Sequence, residues 1–156
     1  MKAFVLLTPI GPLTLWTNNG CLTSIDFGQT APVAAMQAFE KNIARQIEAY
    51  FLHQRKVFDL PYVANGTEFQ KKVWQAMLLI PYGETRSYQD LAQTLNTSAR
   101  AIGNACRRNP LPLIIPCHRV VAKSGLGGFS GETEGQMLDI KQTLLDLEQA
   151  RMTLVA

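Results

Sequence analysis

The residues with the most chemistry to offer in this sequence are a thiol and an imidazole set side by side, Cys117 and His118, in the run Leu111-Pro112-Leu113-Ile114-Ile115-Pro116-Cys117-His118-Arg119-Val120-Val121. Sulfur attacks as thiolate, and a free cysteine with a pKa of about 8.5 is ionised to only a few per cent at neutral pH. A base beside it raises that fraction. Successive side chains on an extended chain point to opposite faces, so Cys117 and His118 need a turn or a bridging water to communicate. A carboxylate behind His118 fixes its tautomer and supports the imidazolium. The C-terminal segment offers Asp139, Asp146 and Glu148 for that place. By spacing alone, an isolated Cys-His pair is more often structural than catalytic, so the pair needs support from the rest of the chain.

Other chemistries are less well supplied. The chain has two histidines, His53 and His118, and no paired cysteine spacing, so no metal site is expected. Its three cysteines, Cys21, Cys106 and Cys117, are odd in number and unpaired in spacing, which argues against a disulfide framework and for a reducing compartment. Cys106 falls on an apolar helix face and reads as a small core residue; Cys21 reads as incidental. No secretory signal pattern is visible, and no apolar run approaches the roughly 18 residues that span a bilayer. A cytoplasmic protein with no membrane partner is the expectation. A net charge of +3 permits a polyanionic partner without demanding one.

The elements that must position the thiol fall in two halves, expected at 1–64 and 65–156. In the first, residues 4–7, 13–17 and 22–27 carry strand patterns, and Asn19-Gly20 is a hairpin signal. After Pro32 the period becomes helical, with Met36, Phe39, Ile43, Ile47 and Tyr50 on one face. In the second half Thr67 and Gln70 fit a capping box. Phe69, Val73, Ala76, Met77 and Ile80 then form an apolar face, and Pro81-Tyr82-Gly83 ends the helix. Ser87 can cap a short helix buried through Leu91, Ala92 and Leu95, and Ser98 begins another that runs to about Arg108. Two short helices joined by a tight break make a helix-turn-helix pattern. Residues 123–131, rich in Gly and Ser, read as a loop that could act as a wing. Met137, Ile140, Leu144 and Leu147 share the face of a last helix.

Along the helix that starts at Ser98, Ala99, Ile102 and Cys106 share one face, while Arg100, Gly103, Asn104 and Arg107 share another. Small residues let a helix backbone approach DNA, and guanidiniums contact phosphate or bases. The same spacing also fits a solvated face packed by small residues, and it leaves both readings open.

Ile115-Pro116-Cys117-His118-Arg119-Val120 resembles the active-site signature of the O6-alkylguanine-DNA alkyltransferases, or methylated-DNA–protein-cysteine methyltransferases. The match does not stand alone. Gly66-Thr67-Glu68-Phe69-Gln70 with Val73-Trp74 resembles the family's first helix of the DNA-binding domain. Ile80-Pro81-Tyr82-Gly83-Glu84-Thr85 with Ser87-Tyr88 resembles its next segment, and Ala99-Arg100-Ala101-Ile102-Gly103 its recognition helix. Asn109-Pro110 precedes the signature at the expected distance, and Thr8-Pro9-Ile10-Gly11-Pro12-Leu13 resembles the N-terminal strand pair.

The resemblance implies an α+β chain: a small ribonuclease H-like α/β domain, then a mainly helical winged helix-turn-helix domain that carries the acceptor cysteine. It implies a monomer without cofactor that binds double-stranded DNA through the minor groove and flips O6-alkylguanine, with O4-alkylthymine as a second candidate. The alkyl group then passes irreversibly to Cys117. His118 becomes the base acting through water, Glu148 its orienting carboxylate, Tyr88 the residue that helps rotate the nucleotide and donates to the base, and Asn109 the hinge behind the active-site strand. Arg100 becomes the finger that fills the gap, with Ala99, Gly103, Asn104 and Arg107 on the same DNA-facing helix. Ser130 becomes a donor to O6, Phe129 the aromatic wall beside it, and the carbonyl of Val120 a reader of the guanine amino group. Two departures from the family pattern are Phe129, where a Tyr is frequent, and a stretch between Ser130 and Lys141 that is several residues longer. The rival readings are a non-enzymatic alkylation-damage sensor, which lacks the acceptor cysteine, a winged-helix regulator, which leaves Pro116-Cys117-His118 without a purpose, and a Cys-His hydrolase, which gives no reason for a helix-turn-helix.

Overall fold

The computed structural model describes residues 1–32, 35–127 and 135–155, with side chains described as far as Gln149. The chain divides into two compact units, Met1–Asn65 and Gly66–Ala156.

Unit one is an antiparallel sheet of β1 (Lys2–Thr8), β2 (Gly11–Asn18) and β3 (Cys21–Phe27), in that order, followed by helix α1 (Ala38–Phe51). The β2–β3 turn falls at Asn19-Gly20, whose φ values of 50° and 76° are those of a tight hairpin with both central residues left-handed. Phe4, Leu6, Leu13, Leu15, Leu22 and Ile25 bury one face of the sheet, and Ile43, Ile47 and Tyr50 bury one stripe of α1. Each such side chain contributes roughly 1.5–3 kcal/mol of burial. Met36, which the helical period includes, precedes the helix and is only partly buried. The loop after α1 is tied by Gln46, whose amide donates to Asp59 O at 2.7 Å and accepts from Asp59 N at 2.8 Å.

Unit two contains α2 (Glu68–Leu78), β4 (Arg86–Ser87), α3 (Tyr88–Thr94), α4 (Ala99–Arg107), a single 3₁₀ turn (Cys117–Arg119), β5 (Val120–Val121) and α5 (Gln136–Val155). The Thr67–Gln70 capping box is formed in both directions, at 3.1 and 3.0 Å. Gly66 stands before it because a Cβ there would meet the Trp74 ring at 2.5 Å. The α2 face differs from the sequence pattern at two places. Trp74 is buried and donates its indole N–H to Ala105 O at 2.8 Å, whereas Phe69 is 37% exposed. The indole has a polar atom that only a helix carbonyl across the core can satisfy, and periodicity does not see that.

Ser87 caps α3 and Ser98 caps α4, accepting from Asp90 N at 2.9 Å and from Ala101 N at 3.1 Å. Asp90 completes a second capping box by accepting from Ser87 N at 3.1 Å. Residues 95–98 join the two helices, with Asn96 left-handed at φ 53°. β4 and β5 pair in parallel, Arg86 opposite Val120 and Ser87 opposite Val121. That two-residue ladder sets the start of α3, and hence Tyr88, beside the strand that leaves the Cys117 turn. Among the described residues no helix is long and apolar enough to cross a membrane.

Candidate active site

The segment that delivers Cys117 is buried without interruption from Leu111 to Val120. It is irregular, so its backbone groups need partners outside a regular ladder. Asn109 supplies two. Its Nδ2 donates to Ile115 O at 2.9 Å, and its Oδ1 accepts from Leu111 N at 2.9 Å. Ile115 N also returns to Leu111 O at 2.8 Å. The loop so closed holds Leu113 at φ 79°, a left-handed conformation that is costly for a branched side chain and persists only when its surroundings fix it. Pro116 then opens the 3₁₀ turn, with Arg119 N donating to Pro116 O at 3.0 Å. The turn is what an extended Cys117-His118 pair lacks: it bends the chain at the thiol.

His118 is fully buried, and its Nε2 lies 2.7 Å from Glu148 Oε2. Its Nδ1 is buried and has no hydrogen-bond partner among the described residues. Of the three carboxylates that the sequence offers, Glu148 alone is on the buried stripe of α5; Asp139 and Asp146 are exposed. Glu148 is held from three further directions. Arg119 donates from Nε to Oε1 at 2.9 Å and from Nη2 to Oε2 at 3.1 Å, and Gly83 N donates to Oε1 at 3.2 Å. Arg119 Nη1 reaches Ile80 O at 2.8 Å, and Gln149 Nε2 reaches Gly83 O at 2.6 Å. The Pro81-Tyr82-Gly83 turn is thereby fastened to the helix that carries Glu148.

The environment polarises each group. Burial pushes the Cys117 thiol above its ordinary range, opposed by a hydrogen bond from Asn109 and by the Lys141 ammonium. Burial holds His118 below its ordinary value against the raising influence of Glu148, and Arg119 and Lys141 push it the same way as burial. Burial alone would raise Glu148, but the hydrogen bonds and charges of His118 and Arg119 prevail and hold it well below the usual carboxylate range. The resting site is therefore a protonated thiol, a neutral imidazole and an ionised carboxylate. Such a thiol needs its proton taken as it reacts, and a neutral imidazole has the lone pair to take one.

Lys141 and Arg119 are the residues that the sequence reading passes over. Lys141 is buried, donates to Val120 O and Leu126 O at 2.7 Å each, and lies 5.7 Å from the Tyr88 ring centroid. Burial brings its pKa down to about 8. The signal was its place three residues before Leu144 on the apolar stripe of α5. For Arg119 it was a guanidinium in an otherwise buried run, which must find a carboxylate. The Val120 carbonyl expected to read a guanine amino group already accepts from Lys141, which leaves its second lone pair.

The residues expected to face DNA do not all share one surface feature. Tyr88, Ala99, Arg100 and Gly103 line an open, largely apolar groove of about 460 Å³, together with Gln89, Ala122 and Lys123. Asn104 and Arg107 line a different groove of about 450 Å³, with Thr67, Phe69, Gln70 and Arg108. Gly103 meets nothing within 4 Å of the place of a Cβ, so any side chain there projects into the first groove. Gly127 (φ 76°) lies against Tyr88, where a Cβ would come within 2.8 Å of the ring. Phe129 and Ser130 lie outside the described residues. Cys106 is half-buried with its Sγ 3.5 Å from Met77 Sδ, and burial pushes its pKa up to about 12. Among the described residues no group of three or more His, Cys, Asp or Glu side chains is placed to hold a metal ion.

Residues 68–150 match the family model described as 6-O-methylguanine DNA methyltransferase, DNA binding domain. A methylated-DNA–protein-cysteine methyltransferase of Methanosarcina barkeri is 41% identical over 154 residues, covering 93% of this chain and 95% of that protein. The constitutive methylated-DNA–protein-cysteine methyltransferase of Bacillus subtilis is 46% identical over 155 residues, covering 91% and 92%. The crystal structure of Mycobacterium tuberculosis O6-methylguanine methyltransferase superposes with a TM-score of 0.84 at 37% identity, covering 99% of each chain. That of M. tuberculosis OGT in complex with DNA gives 0.83 at 36%, covering all of both.

Proposed function

The chain belongs to the 6-O-methylguanine DNA methyltransferase family, and from that premise we propose that it repairs duplex DNA by taking the alkyl group of O6-alkylguanine, once and irreversibly, onto Sγ of Cys117. The observation that carries this reading is the buried line from Glu148 through His118 to an Nδ1 without a partner among the described residues, one residue along the same turn from a buried thiol.

With Glu148 accepting at Nε2, the imidazole is the tautomer whose Nδ1 carries the lone pair. Nδ1 takes the thiol proton through a bridging water. The thiolate attacks the alkyl carbon, an S–C bond forms, and the C–O bond breaks with its electron pair left on the guanine. Donors from Tyr88 and Ser130 stabilise the charge developing there, and Phe129 walls the base. The product is a thioether, and no group at the site is suited to cleave it. O4-alkylthymine is the second candidate substrate.

The alkyl carbon of a stacked base is out of reach, so the nucleotide must rotate out at a cost of a few kcal/mol. We place its passage beside the groove of Tyr88, Ala99, Arg100 and Gly103, entered from the minor groove, with Arg100 occupying the vacated space and Asn104 and Arg107 on the backbone at the second groove. Unit one is read as the ribonuclease H-like α/β domain and unit two as the winged helix-turn-helix domain, working as a monomer.

The test is intact mass after incubation with a duplex oligonucleotide that contains O6-methylguanine. A gain of one methylene, located on Cys117 by digestion, is the expected result. Binding without any gain in mass would instead fit a damage sensor. A second expectation concerns Arg100→Ala. Its transfer rate on duplex falls roughly tenfold further than its rate on free O6-benzylguanine, because only the duplex reaction includes the opening step. Equal losses on the two substrates would remove the finger role.

A further inference from the structure

Glu148 is shared. One carboxylate, 1% exposed, meets a guanidinium at two points and an imidazole at a third. If the imidazole were its sole cationic partner, the buried carboxylate would have every reason to draw a proton onto His118 and hold it there. A protonated His118 has no lone pair for the thiol. The same carboxylate that orients the base would then disable it.

We propose that Arg119 is a positioning residue for the transfer reaction: by pairing with both oxygens of Glu148 it supplies the compensating positive charge, so that Glu148 orients His118 without charging it. This rests on the reading of Cys117 as acceptor and His118 as its base. The geometry is suited to the task. Arg119 is buried on the same turn as His118, its two donors are fixed against the carboxylate, and its remaining Nη1 is anchored to Ile80 O at 2.8 Å. The guanidinium is a planar fork of fixed donors that matches a carboxylate at two points, so the pairing is set by geometry.

Around His118, among the described residues, Arg119 is the cation seen paired with both oxygens of Glu148. From α5 come Glu148 and Lys141. From its own turn come Arg119 and the Cys117 thiol. From α2, which also packs on the turn, the buried residues are Val73, Trp74 and Met77, none of them titratable. Lys141 opposes protonation of His118 as well, and it donates to the carbonyls of Val120 and Leu126.

The experiment compares single-turnover transfer by the parent, Arg119→Met and Arg119→Lys between pH 6 and pH 8, using an O6-methylguanine duplex and quench-flow mass analysis. The ratio of the Arg119→Met rate to the parent rate is expected to fall by roughly tenfold from pH 8 to pH 6, as the uncompensated carboxylate protonates His118. Arg119→Lys, which keeps the charge, should hold that ratio nearly flat. A merely structural Arg119 predicts a uniform loss, and a pH-independent ratio in Arg119→Met overturns the proposal. Should Arg119→Met fail to fold, ¹⁵N NMR of the parent decides: His118 is expected as the neutral tautomer, protonated at Nε2, down to pH 6. An imidazolium at pH 7 overturns the proposal, whereas absence of transfer to Cys117 at every pH would instead remove the underlying functional reading.

Discussion

Alanine in place of Cys117 is expected to abolish alkyl uptake completely while the protein still binds duplex DNA. Covalent transfer has no partial substitute: without sulfur nothing at the site forms the S–C bond, and the residual catalysis that survives loss of a general base does not survive loss of the acceptor itself. The fold should tolerate the change. Cys117 is small, and replacing its thiol by hydrogen removes one buried heavy atom at a cost of about 1 kcal/mol. Its backbone stays in place because the turn is held by Pro116, Asn109 and Ile115 and not by the sulfur. The other thiols provide the control. Burial has pushed Cys106 up to about 12, so almost none of it is thiolate at neutral pH. Cys106→Ala should therefore keep its mass gain under conditions where Cys117→Ala shows none. Mass gain in Cys117→Ala, on any residue, would contradict the assignment of the acceptor.

The two substitutions also show which parts of the site the sequence could announce. The Cys117-His118 pair is legible because the two residues are adjacent, and Glu148 because the resemblance puts a carboxylate behind the imidazole, where the structure has it 2.7 Å from Nε2. The hairpin at Asn19-Gly20 and the caps at Thr67, Ser87 and Ser98 are legible because they are local, each defined within a few residues of chain. What was not legible is long-range. Arg119 meets Glu148 across 29 residues and Ile80 across 39, and Lys141 meets Val120 across 21. No period or motif encodes such a contact; only the folded chain brings the donors to their acceptors. Helix α4 makes the same point. Arg100, Gly103, Asn104 and Arg107 share one face by helical geometry, yet the neighbouring segments divide that face between two grooves. Phe69 was given to the core by its spacing, but Trp74 has more area to bury and an indole N–H that finds Ala105 O, and it takes the core position.

The largest effect on stability is expected at Glu148. Glu148→Ala removes the partner of a buried guanidinium and leaves Arg119, His118 and Gly83 N with donors that no longer meet an acceptor. Breaking a buried ion pair from one side typically costs about 3–5 kcal/mol. For a chain of this size that is a fall in Tm of roughly 10 °C. The pH dependence identifies the cause. In the folded protein Glu148 is held below its ordinary value of 4.5, so its contribution is complete above that pH and is lost as pH falls further. His118 is also held below its ordinary value of 6.5, by burial first, so below about pH 6.5 the unfolded chain binds a proton that the folded chain resists, and stability declines there too. The parent should therefore lose stability in two stages on acidification. In Glu148→Ala the lower stage disappears, and the gap in Tm between parent and variant narrows as pH falls below about 4.5. Thermal melts followed by circular dichroism at several pH values measure that gap directly. A gap that stays constant over the whole range would mean that the loss comes from packing, and that the charge of Glu148 is not what ties α5 to the turn that bears the thiol.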